Sequence, residues 1–136
     1  TRDHSRTPMQ WTNETYAGFS EHEPWIRLGD KDACNVADQL AEETSVLHAY
    51  MTLIQLRKDH PALVYGAFEP LESAKEDLFC YYRDDGNERF YIEINLCERA
   101  GKQPKVKEQM ELIFSNYMAQ GDGLQAYEAN IYRVMK

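Results

Sequence analysis

Three cysteines in 136 residues, none of them in a Cys-x-x-Cys pair, leave this sequence without a disulfide framework. Cys34, Cys80 and Cys97 are odd in number and widely spaced, which is how a cytosolic protein with reduced thiols uses cysteine. His4, His22, His48 and His60 keep no ligand spacing relative to them, so neither a zinc site nor another cofactor is expected. No apolar run approaches the roughly 20 residues of a membrane span. Positive charge is also scarce: 15 Lys and Arg against 23 Asp and Glu give a net charge of −8. That balance argues against nucleic acid, which demands clustered Lys and Arg, and against adsorption to anionic membranes. Thr1 to Gln10 is polar and charged throughout and does not resemble a leader. The chain opens without Met, and its first ten residues read as the middle of something. The expectation is therefore a piece of a longer protein, whose leader the missing one here says nothing about.

What is present suffices for a core. An apolar fraction of 43 % with 12 % aromatics rules out wholesale disorder, and the length allows one compact domain or a small domain with an appended segment. Residues 1 to about 43 have little periodicity and many punctuators, among them Pro8, Asn13, Gly18, Pro24 and Gly29. Trp11, Tyr16, Phe19 and Trp25 are spread through them. A solvated linker is rich in Gly, Ser or charge, so this long aromatic segment should lie folded against something larger. A short helical turn is expected over Asn35 to Leu40, with Asn35 as its cap.

The clearest helix follows. Ser45 or Thr44 can cap it, and Glu42 and Glu43 sit where the helix dipole favours negative charge. Val46, Leu47, Tyr50, Met51, Leu53, Ile54 and Leu56 form a broad apolar stripe at helical spacing. Arg57 and Lys58 occupy the last turn and Pro61 stops the helix. From Leu63 the period changes. Leu78 to Tyr82 and Arg89 to Leu96 read as strands joined across Asp84-Asp85-Gly86-Asn87, an Asp-Gly hairpin signal of type I′ kind. Phe90, Ile92, Ile94 and Leu96 alternate with Tyr91, Glu93 and Asn95, which predicts one buried face and one polar face. Lys102 to Lys107 reads as a loop. Further strands are expected at Glu111 to Phe114 and Ala129 to Met135, with Gly121-Asp122-Gly123 as a turn. The class is α+β: a small antiparallel β-sandwich preceded by a long loop and one helix.

The opening run Arg2-Asp3-His4-Ser5-Arg6-Thr7-Pro8-Met9-Gln10-Trp11 resembles a segment of the oligo-1,6-glucosidase group of the alpha-amylase superfamily (glycoside hydrolase family 13). That group also holds dextran glucosidases, trehalose-6-phosphate hydrolases and sucrose isomerases. The likeness continues in order through Ala17-Gly18-Phe19, Pro24-Trp25, Ser45-Val46-Leu47, Leu53-Ile54, Leu56-Arg57-Lys58, His60-Pro61-Ala62-Leu63 and Tyr65-Gly66. It closes with Asn87-Glu88-Arg89 and with Tyr127-Glu128-Ala129 before Ile131-Tyr132. The ordered series, more than any one match, carries the resemblance. Departures are Thr12, where such sequences usually have Asp, the stretch Leu28 to Cys34, and a loose match over Glu98 to Leu124.

The resemblance implies a catalytic TIM barrel followed by a β-sandwich C-domain. Residues 1–62 would be the end of the barrel, a loop after strand eight and then helix eight, and residues 63–136 the C-domain. It implies retaining hydrolysis of an alpha-glucosidic bond, with two carboxyl groups about 5 to 5.5 Å apart as nucleophile and acid/base. It places those carboxylates upstream of Thr1, so no catalytic residue is expected in this chain. Loops after barrel strands build TIM-barrel sites, which makes Arg2, Asp3, Arg6 and Trp11 the candidates to bind an oligosaccharide. Arg2, Asp3 and Arg6 would hydrogen-bond sugar hydroxyls, or form an Arg–Asp clasp that pins the loop. Trp11 would stack on a pyranose ring or anchor the loop in the interior. Glu42 with Glu43 and Asp84 with Asp85 are better explained by a helix start and a hairpin turn than by catalysis. Tyr81, Tyr82 and Tyr91 raise the alternative of a carbohydrate-binding face, against ordinary cross-strand packing. A helix stripe without its barrel predicts an exposed apolar patch and self-association through the helix.

Overall fold

Asn35 opens the first α-helix, α1 (Val36–Ala41), by accepting a hydrogen bond from the Asp38 N–H through its side chain at 2.9 Å. Ser45 does the same for α2 (Val46–Asp59), its hydroxyl accepting from the His48 N–H at 3.2 Å. Both were legible as caps. The computed structural model containing them describes residues 2–71, 77–118, 121 and 123–135, with His4 described by its backbone alone. The chain divides into two compact units, Thr1–Met51 and Thr52–Lys136.

The first unit is mostly irregular chain, with 3-10 turns at Arg2–Ser5 and Thr15–Gly18 before α1. It is ordered by hydrogen bonds between distant backbone groups. Val36 N–H donates to the Gln10 carbonyl at 2.9 Å and Ala37 N–H to the Trp11 carbonyl at 3.0 Å. The Gln10 side chain donates to the carbonyls of Asp30 and Cys34. The expectation that this segment is not a free linker agrees with that network.

The second unit is a five-stranded antiparallel sheet. Its strands are β1 (Ala67–Leu71), β2 (Leu78–Asp84), β3 (Arg89–Asn95), β4 (Met110–Ser115) and β5 (Ala129–Val134), in spatial order β1-β2-β3-β5-β4. Pro61, which ends α2, also begins a further one-turn helix, α3 (Ala62–Tyr65), whose Ala62 and Leu63 are buried. Gly66 then lets the chain enter β1: a Cβ there would stand 2.5 Å from the Ala62 carbonyl oxygen and 2.9 Å from the Asp84 backbone. The hairpin lies between β2 and β3 as read, with Asp84 opposite Arg89. Its loop is four residues, 85–88, and not the two of a type I′ turn. Gly86 takes positive φ, and Asp85 Oδ1 accepts from the Asn87 and Glu88 N–H groups at 2.9 and 2.8 Å. Of the turn expected at Gly121-Asp122-Gly123, Asp122 lies outside the described residues.

Both faces of the central strand β3 are covered, and this overturns the polar face expected of it. On one face Phe90 and Ile92 pack with Ala62 and Leu63 of α3, joined by Leu56 from α2 and by Ile94 and Ile131. On the other, Leu78, Cys80, Tyr82 and Tyr91 pack with Leu124, Val106 and Met110. Tyr91, Glu93 and Asn95 are 1, 2 and 1 % exposed, whereas Leu96, expected inside, is 60 % exposed beyond the strand end. The reason is the chain after β3. A Gly101–Leu124 bridge, with N–H···O distances of 2.7 and 2.9 Å, draws the irregular segment 102–109 across that face. The α+β antiparallel architecture is the one expected. Among the described residues its layers are one sheet, a helical layer and a layer of irregular chain.

Candidate functional site

Arg2, Asp3 and Arg6 share one 3-10 turn, closed by the Arg6 N–H donating to the Asp3 carbonyl at 3.0 Å. All three are exposed, and among the described residues no ion pair joins Asp3 to an arginine. In this chain both guanidiniums and the carboxylate are therefore left open, for a sugar or for a clasp to the barrel alike. Pro8, in the same run, is buried.

Trp11 stands apart on the next segment. Its backbone is held at both groups: its N–H donates to the Ala17 carbonyl at 2.9 Å and its carbonyl accepts from Ala37. The Ala17 carbonyl is aimed by three successive left-handed residues, Tyr16, Ala17 and Gly18, at φ of 53°, 58° and 64°. Two of these are not glycine, and such strain persists only where the surroundings over-determine it. Here Ala17 is fully buried and its carbonyl also accepts from Thr12 N–H at 3.2 Å. The Trp11 side chain remains 50 % exposed, so a rigid backbone presents a half-open indole. Trp25, at 86 %, is more open still, and the residue reading assigned it no role.

The remaining acidic pairs are engaged locally. Thr44 donates to the Glu42 carboxylate through its hydroxyl (2.6 Å) and its N–H (3.2 Å), and these bonds hold that carboxyl below its ordinary range. Asp84 accepts from the Gly86 N–H at 2.7 Å and pairs with Arg89 at 3.5 Å. Ser45 and His48 also lie close, Oγ to Nδ1 at 3.2 Å, but they are not a nucleophile and base. The Ser45 hydroxyl donates to the Gln39 carbonyl at 2.6 Å, and His48 Nδ1 faces the carbonyls of Gln39 and Glu42 at 3.1 and 2.9 Å. Those acceptors require a proton on Nδ1 and make the corner a helix cap.

The tyrosine trio does not form an exposed sugar-binding face. Tyr82 and Tyr91 are 7 and 1 % exposed on one side of the sheet, their rings 5.1 Å apart, and Tyr81 lies on the other side. What sequence reasoning missed is the polar cluster beneath them. Glu93 Oε1 accepts from Gln103 Nε2 (2.9 Å), the Tyr132 hydroxyl (3.0 Å) and Asn130 Nδ2 (3.2 Å). Asn130 also donates to Glu128 Oε1 at 2.9 Å, and Glu128 Oε2 accepts from the Gln125 N–H at 2.6 Å. Burial pushes the phenols of Tyr91 and Tyr132 well above their usual range, and the Glu93 charge adds to the effect. Burial likewise raises the Cys80 thiol. Its carboxylates are engaged by local donors, while Asn130 Oδ1 and the Tyr91 hydroxyl beside it are buried without a hydrogen-bond partner among the described residues, so the cluster is read as a structural element. Among the described residues no group of three His, Cys, Asp or Glu side chains is placed to hold a metal ion.

Residues 1–66 match the alpha amylase catalytic domain. Over 138 aligned residues the chain is 38 % identical to the alpha-glucosidase of Candida albicans, an alignment covering 98 % of this chain and 24 % of that protein. It is 32 % identical to the oligo-1,6-glucosidase of Heyndrickxia coagulans, covering 99 % and 25 %. Among solved structures, isomaltulose synthase from Klebsiella sp. LX3 superposes with a TM-score of 0.86 at 30 % identity, over 99 % of this chain and 26 % of that one. The chain belongs to the alpha-amylase family of glycoside hydrolases and their relatives. It spans about a quarter of the length of the curated relatives it matches.

Proposed function

We propose that this chain is the carboxyl-terminal quarter of a retaining alpha-glucosidase that cleaves alpha-1,6 and related bonds in short oligosaccharides. The observation that carries the reading is the family match over residues 1–66 together with likeness to glucosidases along nearly the whole chain. Residues 1–62 are the end of the barrel and residues 63–136 its C-domain, a division supported by where the catalytic-domain match ends. The chemistry belongs to two carboxyl groups about 5 to 5.5 Å apart, supplied by barrel strands outside this chain. This chain contributes a rim. Arg2 and Arg6 offer guanidinium donors and Asp3 an acceptor for sugar hydroxyls, and Trp11 offers an indole face to a pyranose ring. Their exposure on a turn and a strained loop, pinned by backbone bonds, supports that role.

The same protein would work in the cytoplasm, which the three free thiols Cys34, Cys80 and Cys97 favour. Among the described residues no helix is long and apolar enough to cross a membrane. The likeness to isomaltulose synthase at 30 % identity favours a second reading, in which the glucosyl unit is returned to a sugar rather than to water. The whole protein should be given isomaltose and, separately, sucrose, with the products followed by proton NMR. Alpha-glucose as the first-formed anomer from isomaltose supports a retaining glucosidase. Isomerised disaccharide from sucrose, with isomaltose untouched, would replace it with the second reading.

A further inference from the structure

A cavity of about 390 Å³ opens on the helical side of the sheet, walled by Leu56, Phe68, Phe79 and Tyr81 and by two arginines, Arg57 and Arg83. Its aromatic wall is continuous: the Phe68 and Phe79 rings lie 5.0 and 5.2 Å from that of Tyr81. Phe68 and Phe79 nonetheless remain 49 and 43 % exposed, an unusual amount for packed aromatics. The arginines are the more telling part. Arg57 Nη1 donates to the Leu63 carbonyl at 3.1 Å and Arg83 Nη2 to the Val64 carbonyl at 2.7 Å. A guanidinium has five donors, so most of this capacity is unspent. Among the described residues no carboxylate pairs with either one, although Arg89 and Arg133 of the same sheet pair with Glu69, Asp84 and Glu88. In a chain of net charge −8, two arginines that no described carboxylate pairs with, beside an apolar hollow, are complementary to a ligand that is apolar and anionic.

We propose that this cavity docks an apolar segment bearing an Asp or Glu from the catalytic domain that precedes the chain in the whole protein, an inference that rests on the glucosidase reading above. The source follows from the cavity's own wall. Leu56, Arg57, Leu63 and Val64 fall within the residues that match the catalytic domain, so the remainder of that domain is the natural occupant of the space they border. The carboxylate bridges Arg57 and Arg83, and its apolar neighbours cover Phe68 and Phe79. A carboxylate so placed is paired and shielded from water, the setting in which losing one partner is most costly.

The test compares the whole protein with this chain alone. Amide exchange in β1 should be slowed at least about tenfold in the whole protein relative to the chain, because docking shuts the cavity that β1 borders. Arg83→Ala should lower the melting temperature of the whole protein by about 2–4 °C and that of the chain by less. Arg83→Lys should recover only part of the loss, since ammonium cannot reproduce the fork. Equal β1 exchange in both, or equal shifts from Arg83→Ala in both, would overturn the docking. So would a dimer of the whole protein, seen by sedimentation and broken by Arg57→Glu, because the occupant would then be a second copy. Turnover of alpha-glucosides by the wild-type whole protein reports on the glucosidase reading separately, as Arg57 and Arg83 lie outside the proposed substrate rim.

Discussion

Replacing Glu93 by Leu sets two large effects against each other. Glu93 is 2 % exposed, and one of its oxygens gathers three donors from Gln103, Tyr132 and Asn130. Removing the carboxylate ends the desolvation of a charge, and swapping buried ionic groups for apolar ones is often neutral or stabilising. A fully buried Leu also brings about 1.5–3 kcal/mol of its own. Against this, the Tyr132 hydroxyl and the Gln103 amide lose their acceptor in a partly buried layer, at about 1–3 kcal/mol each, and the Gln103 amide keeps only a 3.5 Å contact to the Tyr132 hydroxyl. Asn130 is spared, since the same amide still donates to Glu128 at 2.9 Å. The lost bonds are charge-assisted and lie at the upper end of their range, so the orphaned donors win. The expected outcome is a net loss of about 2–3 kcal/mol. In urea, at a slope of roughly 1–3 kcal/mol per molar, the midpoint falls by about 1–2 M with the slope unchanged. Adding Tyr132→Phe to Glu93→Leu removes one orphan and should restore at least about 0.5 kcal/mol, a coupling that a double-mutant cycle measures. If Glu93→Leu equals or exceeds the parent in stability, the reasoning fails and the cluster is a tolerated burial of polarity.

The raised phenols of Tyr91 and Tyr132 make stability depend on alkali. Both are held above the usual value near 10, so their contribution is complete below about pH 10 and is lost as pH rises beyond it, at up to about 1.4 kcal/mol per pH unit for each. Tyr91→Phe should flatten that decline in urea titrations between about pH 10 and 11. Gly66→Ala sets a methyl 2.5 Å from the Ala62 carbonyl oxygen and 2.9 Å from the Asp84 backbone, neither of which can swing aside, and should cost about 1–3 kcal/mol by thermal melting. Asn35→Ala removes the cap of α1 and the bonds its amide makes to Lys31 and Asp38, so a loss of about 1–2 kcal/mol is expected in the same measurement.

Much of the architecture was written in local signals. The long helix was read as Ser45 to His60 and runs from Val46 to Asp59, because a hydroxyl cap at one end and a proline at the other leave little choice. The hairpin strands, β4 and β5 were recovered to within two residues from alternation and turn residues. β1 escaped notice because Ala67-Phe68-Glu69-Pro70-Leu71 carries a proline, which is tolerated on an edge strand such as this one. α3 escaped because Pro61 reads as a stop and is also a good first-turn residue.

The hidden polar face is the more instructive miss. Tyr91, Glu93 and Asn95 alternate as a solvated face should, and what buries them arrives from residues 101–110 and Leu124, with no local sign in β3. A signal did exist across the hairpin. In register, Leu78, Cys80 and Tyr82 stand opposite Asn95, Glu93 and Tyr91, so the partner strand shows an apolar surface on the side that β3 alone makes look wet. The proposed rim of Arg2, Asp3, Arg6 and Trp11 comes from family resemblance alone, whereas the left-handed run at Tyr16 to Gly18 that aims the Ala17 carbonyl at Trp11 has no signature beyond one glycine.

The central claim is that this chain frames a glucosidase site without holding the groups that break the bond. Purified chain, freed of host glucosidases, should be incubated with p-nitrophenyl alpha-glucoside at an enzyme concentration high enough to detect a single turnover. The account predicts release no faster than the uncatalysed rate, because the two catalytic carboxyl groups belong to barrel strands outside this chain. Sustained release that copurifies with the chain would contradict it and place the catalytic carboxylates within these 136 residues.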